Sequence, residues 1–137
     1  MLLNNHRFLL VFVKLIHRHH EVKYGIQVSF SNDIGGGLCF SHFSGIVIGC
    51  TCIGDNLTIF QGCTIGAVLG KGAPILGKNV VMYAGAKIVG NVKIGNNVVV
   101  GANAVVVKDV PDNAVVVGVP AKIVSYNASK ITKYFIK

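Results

Sequence analysis

Val92-Lys93-Ile94-Gly95-Asn96-Asn97-Val98-Val99-Val100-Gly101-Ala102-Asn103-Ala104-Val105-Val106 decides how this chain folds. Ile94, Val100 and Val106 recur at steps of six, with Gly95 and Gly101 directly behind the first two, and Val98 and Ala104 four places behind them. A helix repeats its apolar face every three or four residues and a simple strand every two, so a period of six needs another geometry. Short strands joined by sharp turns supply it.

Working outward, the same step reads Val28, Ile34, Phe40, then Val47, Ile53, Ile59, Ile65, then Leu76, Met82, Ile88, Ile94, Val100, Val106. Glycine follows six of these thirteen markers (Gly35, Gly54, Gly66, Gly77, Gly95, Gly101), as suits a backbone that turns without room for a Cβ. Four places beyond the markers stand small or aliphatic residues: Leu38, Ser44, Thr51, Leu57, Cys63, Val80, Ala86, Val92, Val98, Ala104 and Val110. Two inward side chains per hexapeptide line a narrow interior, three hexapeptides close one triangular coil, and stacked coils bury what no single repeat could. The expected fold is all-β, a parallel β-helix over residues 24–124. A helical N-terminal cap is expected over 1–23, a protruding loop at 66–75, and a basic tail over 125–137.

Composition agrees with one repeat domain: 137 residues, 52% hydrophobic and 13% charged. The net charge of +8 gathers toward the ends, with Arg7, Lys14, Arg18 and Lys23 at one and Lys122, Lys130, Lys133 and Lys137 at the other. Such a surface attracts nucleic acid, anionic lipid or a phosphorylated small molecule, and the absence of any nucleic-acid motif with exposed aromatics argues against the first. Cys39, Cys50, Cys52 and Cys63 form no C-x-x-C pair and read as filler in a reducing, cytoplasmic setting. The run Phe8 to Val13 is too short to span a bilayer and lacks a cleavage site. It reads as a helix covering the open end of the coils, or as an interfacial helix resting on the inner membrane face. His6, His17, His19 and His20 lie in the same segment without a cysteine or carboxylate cluster, so no metal is expected.

His42 is the one histidine within the coils. The stretch Ile34-Gly35-Gly36-Gly37-Leu38, with His42 and Ser44-Gly45-Ile46-Val47-Ile48-Gly49 behind it, resembles the catalytic-histidine region of hexapeptide-repeat acyltransferases. It is similar to serine acetyltransferases and to the related O-acetyltransferases of bacterial surface-polysaccharide clusters. Phe60 to Gly66, Ala84 to Asn91 and Gly118-Val119-Pro120-Ala121-Lys122-Ile123-Val124 carry the resemblance further. It implies left-handed winding, since the general rule for parallel crossovers would favour the right hand. It also implies acetyl-CoA as acetyl donor, no metal, and a homotrimer with active sites between subunits. The zinc-dependent carbonic anhydrases of the same fold need three coil histidines, which this chain lacks.

Markers three apart share a face, so Phe40, Ile59, Met82 and Val100 should stack, and two places beyond them His42, Gln61, Ala84 and Ala102 should form one column. With coils ~4.8 Å apart, His42 and Ala102 lie roughly 14 Å apart, near the reach of a pantetheine arm. Ala84, Gly85 and Ala102 leave room for such an arm. Lys71, Lys108 and Lys122 are candidates for its phosphates, and the backbone at Gly66 and Ala67 for the oxyanion. His42 is the expected general base.

The resemblance has gaps. The aspartate fifteen residues before the catalytic histidine is Gln27, the acid directly before it is Ser41, and the histidine before the loop proline is Ala73 ahead of Pro74. The large N-terminal helical domain of serine acetyltransferases is expected to be absent as well. These departures favour a sugar hydroxyl of a surface polysaccharide or its precursor, lipid-linked precursors included, with Gln27, Ser41, Phe43, Gln61 and Tyr83 as the acceptor-binding or orienting residues. Acetylation of free serine and a non-catalytic scaffold subunit are the alternatives.

Overall fold

Valine and isoleucine at the six-residue steps form strands of two to four residues, each too short to stand alone and each held by a copy of itself one coil away. The computed structural model describes residues 2–49 and 52–135, and side chains from residue 7 onward, so Cys50, Thr51, Lys137 and the His6 side chain lie outside the described residues.

A helix, α1 (Leu2–Tyr24), precedes the first coil, made of β1 (Ile26–Val28), β2 (Asp33–Ile34) and β3 (Cys39–Phe40). The second comprises β4 (Ile46–Ile48), β5 (Cys52–Ile53) and β6 (Thr58–Ile59), and the third β7 (Thr64–Gly66), β8 (Ile75–Leu76) and β9 (Val81–Met82). β10 (Lys87–Val89), β11 (Lys93–Ile94) and β12 (Val99–Val100) make the fourth. The fifth holds β13 (Val105–Val106), a single bridge from Val110 to Ile94, and β14 (Val115–Val117). Three parallel sheets result, ordered β1-β4-β7-β10-β13, β2-β5-β8-β11 and β3-β6-β9-β12-β14. The chain is a left-handed parallel β-helix of hexapeptide repeats with helices at its ends.

The core is the inside of this prism. Ile48, Ile65, Ile88 and Val106 stack on one wall, Ile53, Leu76, Ile94 and Val110 on the second, Ile59, Met82, Val100 and Val116 on the third, all buried. Corners between the second and third walls need a left-handed residue in each coil: Gly37 supplies it in the first with φ of 78°, and Asn56, Asn79, Asn97 and Asn113 in the other four with φ of 61°, 57°, 52° and 61°. The asparagine side chains form a ladder: each Nδ2 donates to the next Oδ1, at 2.9, 2.9 and 3.2 Å.

The step of six slips once. Ile48, not Val47, faces inward, in register with Val28 and Ile65, while Val47 is 36% exposed. Ile46, not Ser44, fills the second inward place opposite Cys63, and Ser44 is exposed. Alternation along a strand turns any one-residue shift into a change of face, and two additional residues in the corner after Phe40 cause the shift.

α1 does not close the open end. Its residues from Phe8 to Ile16 are exposed, and Ile26, Val28, Ile34, Leu38 and Phe40 of the first coil stay half-buried where the later coils are sealed. The segment after the fifth coil folds back on the coils. β15 (Lys122–Ser125) runs antiparallel beside β14, and α2 (Ser129–Thr132) follows. Ala128, Ile131 and Phe135 then pack outside the third wall on Val81, Val99, Phe60 and Tyr83.

Candidate active site

Between the third wall and the first, three corners hold three residues each: Phe60-Gln61-Gly62, Tyr83-Ala84-Gly85 and Gly101-Ala102-Asn103. Each ends in a left-handed residue, with φ of 70°, 72° and 57°. At Gly85 a side chain would strike Asn103 Oδ1, so only glycine fits beneath the next coil. The Lys87 ammonium ties these corners together, donating to the carbonyls of Gly62 at 3.0 Å and Gly85 at 3.2 Å.

The corner with His42 is longer: Ser41, His42, Phe43, Ser44 and Gly45 separate Phe40 from Ile46. Ser41 N–H donates to the Ile59 carbonyl at 3.0 Å, keeping register on entry, and the Gly62 N–H donates to the Ser44 carbonyl at 3.0 Å, restoring it on exit. In the other corners that second bond is accepted by the carbonyl of Gln61, from the Gly85 N–H, and by that of Ala84, from the Asn103 N–H, both at 2.9 Å, so Ser44 takes the place above Gln61. The expected column therefore holds for Gln61, Ala84 and Ala102 but not for His42, which stands in a two-residue bulge with Phe43. Ser44 and Gly45 turn the bulge back with φ of 92° and 66°.

The His42 side chain is exposed, with its ring edge-on to Phe60 at 5.6 Å. Phe60 stacks on Tyr83 at 5.2 Å, and Phe135 meets both edge-on at 6.2 and 6.4 Å. Sequence reasoning missed Phe60 and Phe135. Two aromatics directly behind consecutive stacked markers, at Phe60 and Tyr83, were the readable signal for the first, whereas the return of Phe135 depends on a long-range fold-back. Phe43 is 66% exposed and meets Tyr24 of α1 edge-on at 6.3 Å.

The remaining predicted residues divide. Ser41 is half-buried beside the bulge and Gln61 exposed below it. Gln27 sits on β1 and lines a 630 Å³ open cleft with Lys14, His17, Arg18 and Glu21 of α1, and no hydrogen bond joins it to His42. Gly66 ends β7 and Ala67 opens the exposed excursion, which turns back through a Val68–Gly72 bridge. Lys71 lines a 330 Å³ cavity with Val68, Asn91 and Val107, and Lys108 follows Val107. Lys122 lies apart from that cavity, exposed at the start of β15. Among the described residues no group of three or more histidine, cysteine or carboxylate side chains could hold a metal ion.

Residues 73–108 match the family described as the bacterial transferase hexapeptide (six repeats). Over 115 residues the chain is 46% identical to the serine acetyltransferase of Staphylococcus aureus (strain N315), covering 81% of this chain and 54% of that protein. For Staphylococcus xylosus serine acetyltransferase the identity is 43% over 129 residues, covering 91% and 60%. Among solved structures, serine acetyltransferase from Brucella abortus strain S19 superposes with a TM-score of 0.78 at 32% identity, covering 83% of this chain and 48% of that one. A serine acetyltransferase in complex with CoA gives 0.76 at 35% identity, covering 90% and 51%. The chain spans about half the length of the curated relatives it matches. By its repeat, its coil register and these likenesses, the chain carries the hexapeptide repeat of the bacterial transferases over residues 73–108, and its β-helix is similar to that of serine acetyltransferases.

Proposed function

We propose that the chain is an acetyl-CoA-dependent O-acetyltransferase in which His42 is the general base. The exposed imidazole in the bulged corner, above the column of Gln61, Ala84 and Ala102, carries this reading. The imidazole takes the acceptor's hydroxyl proton, the oxygen bonds to the thioester carbonyl carbon, and the C–S bond breaks as the imidazolium returns the proton to the departing thiolate. Ala84 and Ala102 leave backbone accessible to an amide-rich arm, and Lys71 and Lys108 pair with its phosphates. The solved relative in complex with CoA supports the choice of donor.

The leading acceptor is the hydroxyl of serine, supported by relatives named for that activity at 46% and 43% identity. This displaces the saccharide expected from sequence, because the relatives compared above are named for serine. One observation keeps the saccharide as a second reading: His42 meets Phe60, stacked on Tyr83, and no carboxylate, so the site offers a ring platform in place of a charged partner for an amino acid. Adjacent copies completing each other's sites in a trimer belong to the same proposal.

Thiol release from acetyl-CoA with serine and with a panel of sugars as acceptors tests both readings. Turnover with serine that disappears in His42→Ala supports the first, and turnover with sugars alone replaces it by the second. No release with any acceptor, together with no CoA binding by calorimetry, would leave the scaffold reading.

A further inference from the structure

α1 is turned the wrong way round for a helix that belongs to a protein core. At 3.6 residues per turn, Arg7, Lys14, Arg18 and Glu21 fall on one stripe, and Lys14, Arg18 and Glu21, with His17, line the cleft against Val28, Phe30 and Val47. Glu21, the only acid of the helix, is held there by His17 at 3.5 Å and Arg18 at 3.4 Å. The opposite side carries Leu9, Phe12, Val13 and Ile16, which are 59%, 62%, 44% and 42% exposed, with Phe8 at 77% beside them. The same side continues toward the end of the helix as His19, His20 and Lys23, all exposed. The acid and its partners thus sit against the body of the molecule, with Arg18 still 69% exposed, while the side turned away is apolar from Leu9 to Ile16 and ends at Lys23; Leu10, Val11 and Leu15, 59%, 57% and 64% exposed, widen the apolar surface around the helix.

We infer that α1 is a membrane-surface helix: its outward face lies in the interface of an anionic lipid bilayer, with Leu9, Phe12, Val13 and Ile16 among the acyl chains and Lys23 at the headgroup phosphates. The helix is not long and apolar enough to cross a bilayer, which leaves lying on it. Lys23, at the end of the outward side with the helix's one acid on the opposite stripe, in a chain of net charge +8, selects anionic headgroups. A second copy fits less well, because pairing this face in parallel would bring its basic rims together. An anionic surface neutralises the rim and covers the apolar face at once.

Flotation of the full chain with unilamellar vesicles tests this, using phosphatidylglycerol mixed into phosphatidylcholine against phosphatidylcholine alone. The expected result is co-flotation with the anionic vesicles only, weakening as salt rises. The double variant Phe12→Ser/Ile16→Ser should bind about tenfold more weakly or worse, with an unchanged circular dichroism spectrum in the strand region. Lys23→Glu should reduce binding as well. Absence of flotation would overturn the inference, as would equal binding to neutral vesicles. So would a lipid-free oligomer that the double variant breaks down without any lipid binding, because the face would then be a contact between copies.

Discussion

The His42 ring meets the edge of Phe60 at 5.6 Å between ring centroids. General-base catalysis typically contributes 10²–10⁴-fold, so His42→Ala should lower kcat/KM by about that much with CoA affinity unchanged, as paired kinetics and calorimetry would measure. Phe60 positions the ring without touching reacting atoms. Phe60→Ala should therefore reduce kcat by about tenfold while leaving KM for acetyl-CoA near its starting value, and Phe60→Tyr should restore most of the rate. Cys63 offers a check independent of activity. Its thiol is fully buried and donates to the Tyr83 carbonyl at 3.1 Å, and burial pushes its pKa up. Alkylation of the native protein followed by mass spectrometry should find Cys63 unmodified and become complete only on unfolding. The raised pKa has a stability consequence of definite sign: the folded thiol keeps its proton where the unfolded one loses it, so this contribution is present below the unfolded pKa and fades as pH rises above it.

At the scale of the element, the corners carry more information than the strands. Asn79 accepts from Asn56, donates to Asn97 and sits at φ 57°, so alanine there loses two hydrogen bonds and takes on left-handed strain. Asn79→Ala should cost about 2–4 kcal/mol in denaturant unfolding, and Asn79→Gly, which relieves the backbone, should cost less. The strand walls were legible in the sequence because the six-residue step is a property of contiguous residues, and Phe40, Ile59, Met82 and Val100 stack as that step requires. The bulge was not, because the step resumes at Val47 by coincidence: Val47, Ile53, Ile59 and Ile65 are six apart although Ile48 is the residue inside. Hydrogen-bond register decides between neighbours of equal hydrophobicity, and a single sequence does not contain it. His42 itself was found by type and resemblance, while its departure from the Gln61 column needed the two bonds that bracket the bulge.

At the scale of the whole molecule, the coil spacing divides the proposed site. His42 lies in the first corner and Ala102 three coils away, roughly 14 Å at ~4.8 Å per coil. The acetyl group must reach the base while the rest of the cofactor runs along the column, and an adjacent copy of the chain is the means the proposed trimer offers of closing the exposed bulge. A shared site is separable by mixing subunits. His42→Ala removes the base and spares the column, whereas Ala102→Trp blocks the column and spares the base. Unfolded together in equal amounts and refolded, the two inactive variants should regain about one quarter of the wild-type rate, because in a random cyclic assembly one site in four pairs an intact His42 with an intact neighbouring column. If each chain instead serves its own histidine, every site contains a defect and the mixture stays inactive. Light scattering on the refolded mixture separates that outcome from failed assembly.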